Sequence, residues 1–97
     1  MKTLDNLILS ENLISTVGLY PAYLLQKLIN QDKDKNWFYI TGKEILKLTN
    51  IEEPKHHYLF KLLIYNDLLD YKWMYWQKHY KINYTNYKLI IKGEKHE

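Results

Sequence analysis

Cysteine is absent from the 97 residues, and so is arginine, because all 14 basic residues are lysine. The first absence excludes disulfides, thiol nucleophiles and cysteine-ligated zinc. The second limits any nucleic-acid contact: lysine meets phosphate as a point charge, whereas arginine forks onto guanine. Glycine occurs three times and proline twice, so most elements must end on Asn, Asp or Thr signals. This Lys-, Asn-, Ile- and Tyr-rich usage is that of AT-rich codons. No apolar run approaches the roughly 18 residues of a membrane span. The segment Met1–Asn6 has too little positive charge and too short an apolar stretch for a signal peptide, and a cytoplasmic location is the expectation.

What is present is an ordinary globular composition, 46% hydrophobic and 26% charged, with ten tyrosines and three tryptophans. That length and composition suit one small domain with one modest core. Charge is uneven. Residues 1–54 carry six lysines against seven acids; residues 55–97 carry eight lysines against four acids, and all four histidines. The second half therefore points to an anionic partner.

Along the chain, residues 4–17 hold Leu4, Leu7, Ile8, Leu9, Leu13, Ile14 and Val17 and suit a helix or an extended arm, broken by Gly18. Pro21 fits a first helical turn, and Ala22, Leu24, Leu25, Leu28 and Ile29 continue at helical spacing to Asn30. Residues 31–36 are a polar loop, and Trp37–Ile40 is predicted as a short strand. Thr41 with Glu44 matches a capping box ahead of a helix over 43–48. After the turn 50–53, Pro54 opens a helix to Tyr65, ended by Asn66–Asp67, with Asn66 suited to a left-handed cap. Leu68–Met74 and His79–Tyr84 are predicted as paired strands around a turn at 75–78. Residues 85–97 are left as a carboxy-terminal extension with one apolar cluster, Leu89–Ile90–Ile91. With Leu7, Leu13 and Ile14, that cluster suits either a dimer interface or completion of the monomer core.

The stretch Ile40–Ile51 resembles the T-x-x-E-I-x-x-L-T-x-I pattern that opens winged helix-turn-helix domains. Phe60–Leu69 resembles the end of a recognition helix, and Tyr80–Tyr84 a last wing strand. The resemblance covers residues 20–84. Together with Gly18-Leu19-Tyr20, Leu24-Leu25-Gln26 and Trp37-Phe38-Tyr39, it is nearest to the amino-terminal DNA-binding domains of phage and plasmid replication organisers, the DnaD-like group. It implies a mainly α fold with a small antiparallel β wing (α+β), and a DNA-binding protein of a mobile element acting in replication initiation or transcriptional regulation. A homodimer is expected. Two positions depart from the pattern: Asn66–Asp67 stands where the family has glycine, and Glu52–Glu53 stands at the start of the reading helix.

On that frame, Lys55, His57, Tyr58 and Lys61 are candidates to face the major groove, with Phe60 and Leu63 facing the core. From the wing, Lys72, Trp76, Lys78 and Lys81 join them, as interleaved basic and aromatic residues suit backbone tracking or stacking on unpaired bases. For at least two of Trp73, Tyr75 and Trp76, packing on the core or across a dimer interface is the expectation. Duplex DNA, with AT-rich sites preferred, is the expected partner. A protein partner or single-stranded DNA are the alternatives. No metal, cofactor or catalytic group is expected: His56 and His57 point about 100° apart on a helix, both serines precede Thr16, and nothing builds a cleft around Glu52–Glu53.

Overall fold

The computed structural model describes residues 9–93. Among the described residues five helices and one hairpin follow in the order α1 (Glu11–Val17), α2 (Leu19–Gln31), α3 (Gly42–Thr49), a 3-10 turn (Glu53–Lys55), α4 (His56–Tyr65), β1 (Leu69–Met74), β2 (Gln77–Ile82) and α5 (Tyr84–Ile91). The architecture is mainly helical with a two-stranded antiparallel sheet, an α+β fold.

Local chemistry explains most boundaries. The Ser10 side chain caps α1 by accepting from Leu13 N–H. Gly18 ends α1 and opens α2 at φ +99°, a conformation that side-chain-bearing residues rarely adopt. The capping box before α3 forms as the sequence predicts: Glu44 N–H donates to Thr41 Oγ1 at 3.1 Å, and Thr41 N–H to Glu44 Oε1 at 2.8 Å. Asn50 closes α3 in the left-handed region at φ 62°, and its N–H donates to the Leu46 carbonyl. At the end of α4 the left-handed residue is Asp67 (φ 59°), not Asn66 (φ −93°). Asp67 N–H reaches the Ile64 carbonyl and Leu68 N–H the Leu63 carbonyl, a Schellman closure that seats Leu68 in the core.

The core joins all the helices except α5 to the base of the hairpin: Leu13 and Val17 from α1, Leu24, Leu25 and Leu28 from α2, Ile45 from α3, Leu59, Phe60 and Leu63 from α4, and Leu69 and Ile82 from the strands. Helix α4 packs on α2 and on β1.

Three sequence expectations change. The strand over 37–40 shrinks to one bridge, Phe38 with Tyr80, held by two 2.8 Å hydrogen bonds. It has no room to extend, because the Asn36 side chain takes the Trp37 N–H and Ile40 turns into the core ahead of Thr41. The hairpin turn is tighter than 75–78, since β2 already begins at Gln77 and ends at Ile82 rather than Tyr84. Residues 84–91 are helical, with Asn83 as N-cap accepting from Asn86 N–H. Helix α5 packs on α1, where Asn12 Nδ2 donates to the Ile91 carbonyl at 3.1 Å. Of the apolar residues assigned to the two terminal segments, Leu13, Ile14, Ile90 and Ile91 thus complete the monomer, whereas Leu4, Leu7 and Ile8 lie outside the described residues.

Candidate nucleic-acid interface

Helix α4 turns His56, Leu59, Phe60 and Leu63 inward. The opposite stripe carries His57, Tyr58, Lys61 and Tyr65, all exposed, Tyr65 by 83%. The adjacent histidines separate as helical geometry requires. His56 is buried and donates from Nε2 to the Ile51 carbonyl at 2.6 Å, while His57 is exposed. Among the described residues no group of three His, Asp or Glu side chains could hold a metal. Lys55 belongs to the 3-10 turn rather than to the outward stripe of α4. With Tyr58, Leu19, Tyr20 and Pro54 it lines a groove of about 740 Å³ between the start of α2 and the start of α4.

Glu53, a carboxylate at the start of this region, has a local role. Its side chain lies over Gly42: a Cβ added there would sit 2.9 Å from Glu53 Cδ. The charge is thus placed against the first turn of α3, where the helix dipole favours it.

The hairpin register sorts its residues into two faces that the sequence alone does not separate. Tyr71 pairs with Tyr80, Lys72 with His79 and Trp73 with Lys78, so alternation puts Leu69, Tyr71, Trp73, Lys78, Tyr80 and Ile82 on one side. That side turns toward α4, because Tyr80 stacks on Phe60 with ring centroids 4.5 Å apart. Beyond the core contact it carries exposed Tyr71 and Trp73, and Lys78 Nζ lies 4.3 Å from the Tyr71 ring centroid. The opposite side carries Lys72, His79 and Lys81, with Asp70 opposite Lys81, and is flanked by Trp37 and Tyr39 across the Phe38 bridge. Lys72 Nζ sits 4.4 Å and Lys81 Nζ 5.9 Å from the Trp37 ring, and Tyr39 contacts His79 at 5.8 Å. Such pairs hold a cation against a ring while leaving its N–H groups free for a further anion.

Of the eight residues singled out from sequence, His57, Tyr58 and Lys61 thus come together on α4. Lys78 lies on one hairpin face, Lys72 and Lys81 on the other, Trp76 at the tip, and Lys55 in the groove. Of the expectation that two of Trp73, Tyr75 and Trp76 pack on the core or across a dimer interface, the core half does not hold: they are exposed by 67%, 84% and 97% on the single chain. The hairpin carries these three beyond its last core contact, Tyr80 on Phe60. Trp37 and Tyr71 were missed as partners of the lysines, and Tyr39 as the partner of His79. Strand alternation at 37–39 could have placed Trp37 and Tyr39 on one face.

Compared with known families, curated proteins and solved structures, the chain matches none of them.

Proposed function

We propose that this chain is a winged-helix domain that binds duplex DNA, with α4 as the reading helix and the hairpin as the wing. One observation carries the reading: the exposed stripe of α4 and both faces of the adjoining hairpin bear lysines, and no acid occurs from Tyr71 to Ile82. Over 55–82 there are five lysines (55, 61, 72, 78, 81) against two aspartates (67, 70). Five lysines without an arginine suit phosphate contacts and shape readout, hence a preference for AT-rich sites over guanine-rich ones. A role in replication initiation or transcriptional regulation of a mobile element follows the resemblance of residues 20–84. A homodimer belongs to the same proposal and follows the same resemblance.

Fluorescence anisotropy with labelled duplex across a salt series tests it. Affinity should fall steeply with salt, and Lys61→Ala should flatten the log–log slope by about 0.9, one phosphate's worth. No binding at low salt would overturn the proposal. It would favour the second reading, a winged helix that docks on a protein, to which the exposed Trp73, Tyr75 and Trp76 lend support.

A further inference from the structure

The hairpin turn is chemically unusual. Tyr75 and Trp76 occupy its two central positions with φ 52° and 67°, both in the left-handed region. Two-residue turns of this type favour Asn-Gly, because positive φ strains any larger side chain. Here the strained positions hold two of the most exposed large side chains among the described residues. Tyr75 leans against His79 at 6.5 Å, edge to face, and Trp76 is 97% exposed. Neither ring contributes to the buried core, so packing does not account for the strain. Strain held without a packing return is a mark of function.

Charge indicates what the rings meet. Lys78 stands on one face of the ribbon and Lys72 and Lys81 on the other, each beside a ring, and the ribbon's one acid, Asp70, sits near its base opposite Lys81, away from the tip. A ribbon that ends in two aromatic rings and carries cations on both flanks fits the point where two nucleic-acid strands diverge. The rings stack on the last base pair or on an unpaired base, and the lysines meet a phosphate strand on either side. We propose that the Tyr75–Trp76 tip is a stacking wedge that directs this chain to forked or end-frayed DNA. The proposal rests on the duplex-binding reading and deepens it by naming the substrate class.

The test compares wild type with the Tyr75→Asn, Trp76→Gly double variant, which installs the preferred turn residues and so keeps the hairpin folded. Anisotropy at one salt concentration measures binding to a blunt duplex and to the same duplex with an unpaired fork. Wild type should bind the fork about tenfold more tightly, the effect of one stacked base. The variant should melt at a higher temperature and lose the fork preference, read as the ratio of its fork affinity to its blunt-duplex affinity. Trp76→Phe should retain most of that preference. Equal fork and blunt affinities in wild type, or an undiminished preference in the double variant, overturn the wedge and leave duplex binding standing. No binding to either DNA overturns both readings. Tip-dependent binding to vesicles containing phosphatidylserine, with equal fork and blunt affinities, would assign the tip to a membrane surface instead.

Discussion

At the residue scale, left-handed backbone is concentrated on residues other than glycine: Lys35, Asn50, Asp67, Tyr75 and Trp76 all have positive φ. Asn50 and Asp67 are short polar residues that tolerate it; the two aromatics do not. Asp67 stands where the resembled family places glycine, and it takes the conformation that glycine would supply. Asp67→Gly should therefore stabilise the fold by about 0.5–1 kcal/mol, read from chemical denaturation, because the closing hydrogen bonds from residues 67 and 68 are backbone ones. His56 is the converse case, a polar side chain that the fold buries and satisfies. His56→Ala should cost about 1–3 kcal/mol, since it removes the only side-chain donor shown at the Ile51 carbonyl and leaves a void beside it.

At the element scale, α5 illustrates how a segment can be structured without looking so. Its residues, Tyr-Thr-Asn-Tyr-Lys-Leu-Ile-Ile, include β-branched types that read weakly as helix, and none is fully buried. Besides the apolar contacts of Ile90 and Ile91, what holds it is polar and distant in sequence. Tyr84 Oη donates to Asp32 Oδ2 at 2.6 Å, Tyr87 Oη to Gln26 Oε1 at 3.0 Å, and Asn86 Nδ2 to the Asn66 and Asp67 carbonyls. Partners 52 and 61 residues away leave no local pattern to read. By contrast, α2, α3 and α4 were legible because their apolar spacing and the Thr41–Glu44 box are local signals. The α4 stripe was legible for the same reason. The division of hairpin residues between faces was not, because it depends on pairing register.

The same anchors give α5 a pH signature. Burial raises the Tyr84 phenol, as do its hydrogen bond to Asp32 and that group's negative charge; burial also raises Tyr80 and Tyr87. Each folded-state value lies above the unfolded value near 10, so the unfolded chain gives up these protons first. The stabilisation is complete below pH 10 and is lost as pH rises beyond it. Melting temperature followed from pH 8 to pH 11 should fall only in the upper part of that range, and Tyr84→Phe should shallow the fall.

At the scale of the whole molecule, the terminal helices are structural. Leu13 is fully buried, α1 packs on α2, and α5 packs on α1. A chain cut to residues 20–84, the span that the family resemblance covers, should lose cooperative thermal unfolding by circular dichroism. In the full chain Leu13→Ala should cost about 2–5 kcal/mol. The two ends thus brace the side of α2 while α4 and the hairpin stay open to a partner.

The placement of the three indoles also determines how the protein can be watched. Trp73 and Trp76 stand mostly in solvent, and Trp37 lies half-buried beneath two ammonium groups. Native emission should therefore already sit near the wavelength of a hydrated indole, and unfolding should barely move it. Intrinsic fluorescence is then nearly silent on folding, yet all three emitters border the surface proposed to meet DNA. A change in tryptophan intensity on mixing can be assigned to contact rather than to rearrangement of the core.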